Sequence, residues 1–79
     1  YSNDFDMYPN PASDFITIEL SNITRSSLRV YSLDGRQIIN LDFSSDKMTL
    51  DVSKLTNGTY LLQIINEDGI SQKLFAVYH

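Results

Sequence analysis

The sequence predicts an all-β fold, a small antiparallel β-sandwich of about seven strands. Three observations lead there. Apolar and polar residues alternate at period two along most of the chain, and helical periodicity is nearly absent. Glycine-containing turn pairs punctuate the alternation at Asp34-Gly35, Asn57-Gly58 and Asp68-Gly69. The apolar faces so produced need a second sheet to cover them.

The elements follow in order. Residues 1–6, "YSNDFD", are polar and acidic. They are expected to be a linker, in the style of the excised end of something longer, with a domain over 7–79. Then comes "MYPNPASDFITIEL", residues 7–20. Proline disfavours the α region for the residue before it, so Pro9 holds Tyr8 extended and Pro11 does the same for Asn10. Each proline fixes its own φ and lacks an N–H, so the segment is expected to be a stiff, polyproline-like arm and not a central strand. Local physics asks for nothing beyond a rigid turn into the first strand.

In "DFITIEL", Ile16, Ile18 and Leu20 share one face. "SLRVYSL" alternates Leu28 and Val30 with Arg29 and Tyr31, and Asp34-Gly35 predicts a hairpin into "RQIINLDF". "KMTLDV" places Met48, Leu50 and Val52 together. "TYLLQII" is apolar on both faces, as in a central strand covered on both sides. "NEDG" at 66–69 predicts a second hairpin, and "ISQKLFAVY" is the last strand. The predicted core is Ile16, Ile18, Leu28, Val30, Leu50, Val52, Tyr60, Leu62 and Ile64. Gly35 and Gly58 are predicted at tight turns with positive φ.

Length and charge exclude several functions. The chain has 79 residues, one small domain that buries only about 60% of its unfolded surface. It has no cysteine, hence no disulfide or thiolate metal site to staple the core. Six Lys and Arg against ten Asp and Glu give a net charge of −4. The basic residues are scattered among carboxylates, which argues against nucleic-acid binding and against a polybasic membrane contact. No apolar run approaches the roughly 18 residues of a transmembrane helix, and no signal-peptide pattern is present.

Catalytic constellations are missing. His79 is the single histidine and the last residue, with no second ligand for zinc and no placed nucleophile. Asp42, Asp46 and Asp51 are close in sequence, as carboxylates on solvated faces and turns are. "NEDG" lacks the spacing of a 12-residue calcium loop. Two glycosylation-type triplets, Asn22-Ile23-Thr24 and Asn57-Gly58-Thr59, are too short to inform. The aromatics Tyr1, Phe5, Tyr8, Phe15, Tyr31, Phe43, Tyr60, Phe75 and Tyr78 suit core or cross-strand roles, although an exposed row would stack on sugars. No catalytic, cofactor or metal residues are assigned.

The order of motifs carries more than any one of them. "YPNPASDFITI", "LRVYSLDGRQI", "LDVSKLTNGTYLLQI" and "NEDGISQKLFAV" resemble, in that order, the four motifs of the type A C-terminal sorting domains of the type IX secretion system, found in Bacteroidetes. The resemblance covers residues 7–79. It implies a small Ig-like β-sandwich that is an address label and not an enzyme. Such a label travels through the periplasm with an upstream cargo domain and is recognised by outer-membrane translocation and shuttle proteins. A sortase-like cysteine protease then removes it, with the cargo left on the cell surface, commonly on an anionic lipopolysaccharide, or released outside. By position the family's motif residues fall on Pro9, Asn10, Pro11, Gly35, Arg36, Gly58, Tyr60, Gly69 and Lys73. Cleavage is expected in or before residues 1–6. One departure is that Lys73 stands alone where the family often has a basic pair, with Gln72 beside it.

Lys73, Leu74, Phe75, Ala76 and Val77 are expected to form a recognition strand, because the final strand is apolar and thinly charged for an edge. The competing reading is a permanent accessory sandwich that binds carbohydrate or adhesive partners. Exposed coplanar aromatics would favour it; buried aromatics and an accessible last strand favour the sorting label.

Overall fold

A computed structural model describes residues 5–21 and 25–79. Tyr1 and the Asn22-Ile23-Thr24 triplet therefore lie outside the described residues. Seven strands form two sheets. They are β1 (Phe5–Tyr8), β2 (Phe15–Leu20), β3 (Arg25–Ser32), β4 (Gln37–Ser44), β5 (Lys47–Asp51), β6 (Gly58–Asn66) and β7 (Gly69–Val77). One sheet has the order β1-β2-β5 and the other β4-β3-β6-β7. All strand pairs are antiparallel. The chain changes sheet between β2 and β3, β4 and β5, and β5 and β6, which gives the predicted Ig-like sandwich.

Six strands coincide with the alternating segments of the sequence. The seventh corrects it. Phe5 and Asp6, expected in the linker, open β1, and Phe5 is buried opposite Leu20. The stiff-arm expectation falls with it. Tyr8 pairs with Thr17 and β1 runs antiparallel to β2, so residues 9–14 must reverse the chain. An extended arm cannot do that. The segment is a turn inside the sandwich, with both X–Pro peptides cis, and Pro9 ends β1 where an N–H is no longer available.

Every residue of the predicted core is buried, and Phe5, Ala12, Phe75 and Val77 join it. The period-two pattern explains why. Ile16 and Ile18 face inward from one sheet, and Leu28, Val30, Leu62 and Ile64 face them from the other. Ser26 is buried among them and accepts a hydrogen bond from Asn66 Nδ2 at 3.3 Å. β6 is central as predicted, but only one of its faces is covered. Leu61, Gln63 and Ile65 lie half-buried on the outside, because no third layer packs there.

Both predicted glycine turns have positive φ. Gly35, at 91°, sits in the β3–β4 hairpin, a conformation in which a Cβ would be strained. Gly58, at 155°, is not in a hairpin; it is the first residue of β6 after the chain has crossed between sheets.

Leu62 is fully buried at the centre of the interface. Leu62→Ala is expected to lower unfolding stability by about 2–5 kcal/mol, read as a reduced urea midpoint with an unchanged slope.

Candidate recognition surface

The motif residues are placed by four turns and one strand. In the β3–β4 turn, the Ser32 N–H donates to the Arg36 carbonyl at 2.9 Å, and the Gly35 N–H donates to the Ser32 carbonyl at 3.0 Å. The Asp34 carboxylate accepts from the Ser32 hydroxyl and from the Arg36 N–H. These bonds, the hydroxyl first, hold its pKa below the ordinary carboxylate value. The "SLDGR" signature is thus a self-bonded turn, with the Arg36 side chain in solvent.

The turn before β6 is held by Tyr60. Its hydroxyl donates to the Thr56 carbonyl at 2.6 Å, four residues upstream, and its ring stacks on Phe75 with centroids 5.7 Å apart. This is the tyrosine corner of Ig-like sandwiches, built at the entry to the strand that follows a sheet change. Asn57 Oδ1 accepts from the His79 N–H at 3.0 Å, and His79 Nε2 lies 2.7 Å from the Leu55 carbonyl. His79 is therefore bonded to the corner. Arg36 and Tyr60 line one open hollow of ≈ 360 Å³, together with Lys54 and Leu55.

The proline segment is docked on β7. Asn10 Oδ1 accepts from the Ala76 N–H at 3.0 Å. The Ala12 N–H donates to the Ala76 carbonyl at 2.8 Å, and the Tyr78 N–H donates to the Ala12 carbonyl at 2.8 Å. Ala12 and Val77 form an isolated parallel bridge. The sequence showed no sign of Ala12's part, since a small residue in a turn has no periodic signal. Asn10 stands out in the sequence as the residue that Pro11 restricts and as part of the family motif, and neither points to its bond with β7.

The residues expected to form the recognition strand divide between faces. Phe75 and Val77 are buried in the core. Lys73 points to the same side, with Nζ 5.3 Å from the Phe5 ring centroid. Leu74 is 57% exposed on the outer face and Ala76 is half-buried. Gly69, with φ of 126°, begins β7 after the Glu67-Asp68 turn, where Asn66 Oδ1 accepts from the Asp68 N–H at 3.0 Å. Pro9, Pro11, Gly35, Gly58 and Gly69 shape the chain at separate turns, so the motif as a whole is not one surface patch.

Carboxylates are likewise dispersed. Asp42 accepts from the Ser27 hydroxyl at 2.7 Å, and Glu19 accepts from the Tyr8 hydroxyl at 2.6 Å, with Lys47 at 3.6 Å. Asp51 Oδ1 accepts from the Ser53 hydroxyl at 2.6 Å and its N–H at 2.9 Å, which lowers the Asp51 pKa. Among the described residues no group of three or more His, Cys, Asp and Glu could hold a metal ion. Phe5, Tyr60 and Phe75 are core, Tyr31 and Phe43 are half-buried, and Tyr8, Phe15 and Tyr78 are exposed.

Residues 6–77 match the family profile of the secretion system C-terminal sorting domain. The chain is similar to an endo-acting ulvan lyase of Formosa agariphila, 29% identical over 85% of this chain and 13% of that protein. It is also similar to beta-agarase D of Zobellia galactanivorans, 36% identical over 86% of this chain and 14% of that protein. It therefore spans only a small fraction of either relative's length.

Tyr60→Phe deletes the corner bond and keeps the ring. A loss of about 1 kcal/mol is expected, seen in urea unfolding, together with faster hydrogen exchange at His79. Two carboxylates, Asp34 and Asp51, have a depressed folded pKa. Asp51 and Asp34 stabilise the fold above the ordinary carboxylate pKa of about 4, and that contribution fades as pH falls through their lower folded values. Melting temperatures measured down an acid series should drop less steeply for Asp51→Asn than for the parent.

Proposed function

The chain belongs to the family of secretion system C-terminal sorting domains of type IX secretion, and from that membership we propose that it is the export label of a larger secreted protein. The label has no chemistry of its own. It passes through the periplasm with its cargo, meets the outer-membrane translocation and shuttle proteins, and leaves the cargo at the cell surface or outside the cell. A sortase-like cysteine protease removes it. Cleavage falls on the N-terminal side of Phe5, because Phe5 is already locked in the core and in β1.

The observation that carries this reading is the family match over residues 6–77. Two structural features support it against an accessory carbohydrate-binding sandwich. Phe5, Tyr60 and Phe75 are committed to the core, and β7 lies at a sheet edge where a partner can reach it.

The test is a reporter with an N-terminal export signal, fused ahead of residues 1–79 in a host that has the type IX system. Protease-accessible reporter at the surface is expected, with a shortened product whose new end lies upstream of Phe5. Periplasmic retention of the full fusion would overturn the reading, and delivery without shortening would overturn the removal step alone.

A further inference from the structure

The four edge strands are β1, β5, β4 and β7. Edge strands present unpaired backbone groups, and proteins usually guard them with charge. β1 carries Asp6 on its outer face and is cut short by Pro9; β5 carries Lys47 and Asp51; β4 carries Asp42. On β7 the outer positions are Ile70, Gln72, Leu74 and Ala76, without a charge. Lys73 does not guard that face, because it is turned to the other side, over Phe5. Ile70 and Leu74 are 63% and 57% exposed.

The backbone of β7 is open over a defined stretch. Ala76 and Tyr78 direct their polar groups away from β6 and onto Asn10 and Ala12. Alternation along an antiparallel strand then turns the N–H and C=O groups of Leu74, Gln72 and Ile70 to the same free side. Among the described residues, the proline turn occupies half of this backbone edge and nothing pairs with the N–H and C=O groups of the other half, so a strand laid there continues the pairing that Ala12 begins.

The sheet also states what it would accept. Across β6 and β7, Leu61 faces Leu74, Gln63 faces Gln72, and Ile65 faces Ile70. Gln63 Nε2 donates to Gln72 Oε1 at 3.1 Å. The first row continues to Tyr31 and borders a hollow of ≈ 290 Å³ lined by Tyr31, Leu33, Leu61 and Leu74. A further strand extends these rows with an apolar, a hydrogen-bonding and an apolar side chain.

We infer that Ile70–Leu74 is a β-augmentation site for one extended, uncharged strand of a protein of the secretion machinery, with apolar residues beside Ile70 and Leu74 and a hydrogen-bonding residue beside Gln72. This rests on the sorting reading. An edge read through its backbone tolerates changes of side chain, which suits a family whose members share as little as 29% and 36% identity with this chain. A second copy is the poorer occupant. A stable pair needs about 500 Å² from each partner, and five residues of a domain exposing 4804 Å² in all supply less. A receptor that holds the label only in transit works through a smaller and weaker contact than a stable pair needs.

Gln72→Pro removes one outward N–H and no backbone bond to β6, a substitution that edge strands accept; with the side chain it also loses the bond from Gln63. In the reporter fusion, with folding verified by circular dichroism and thermal melting, surface delivery is expected to fall about tenfold relative to Gln72→Ala, which loses the same side-chain bond and keeps the N–H. Leu74→Lys, at an exposed position, places a guarding charge on the same edge; it should also retain the reporter and serves if the proline variant does not fold. Normal delivery of a folded Gln72→Pro or of Leu74→Lys would overturn the inference. So would a concentration-dependent dimer of the parent, seen by light scattering and abolished by Gln72→Pro, since the edge would then belong to a second copy. If the parent fusion itself stays in the periplasm, the sorting reading has failed and not the edge.

Discussion

Everything in this small domain depends on the burial of two inner sheet faces against each other. There is no cysteine to crosslink them, and the hydrophobic interface of Ile16, Ile18 and Val52 with Leu28, Val30, Leu62 and Ile64 is the main favourable term. Strand pairing alone could not replace it, because each sheet has one face open to solvent. The short sheet depends on this contact most. β1 has only four residues, and its place is fixed by Phe5 entering the core.

Backbone bonds at the ends of the sandwich complement that burial. Ala12 exchanges hydrogen bonds with Ala76 and Tyr78, so the turn between β1 and β2 is fastened to the edge of the opposite sheet. Tyr60 fastens the β5–β6 connection to itself, and His79 fastens the C-terminal end to that corner. Much of the family motif has a structural explanation here. Asn10, Gly35, Gly58, Tyr60 and Gly69 solve problems of chain reversal and sheet crossing, and Lys73 covers an aromatic core residue.

What the sequence disclosed and what it hid follow from periodicity. The faces of β2, β3, β5 and β6 were legible, because a half-buried strand has a period of two and a one-residue slip would expose Ile16 or Leu28. β1 was not. "FDMY" is too short to display a period, and its acidic surroundings resemble a solvated tail. The prolines were legible as stiffness but not as reversal, since Pro9 and Pro11 restrict local dihedrals without saying which strand lies on the far side. The apolar outer residues of β6 suggested a second cover that the fold does not possess. The candidate surface was legible only as a last strand low in charge. Its division into a docked half and an open half depends on Ala12, sixty-odd residues away along the chain, and no local pattern in β7 could announce it.

The contact between Lys73 and Phe5 joins the two sheets through side chains. β1 is the shortest strand, and its first residue is gripped from two directions, by Leu20 within its own sheet and by a cation from the other. A pull on β1 is therefore shared with β7 from the outset, much as a short seam holds when its first stitch passes through both layers of cloth.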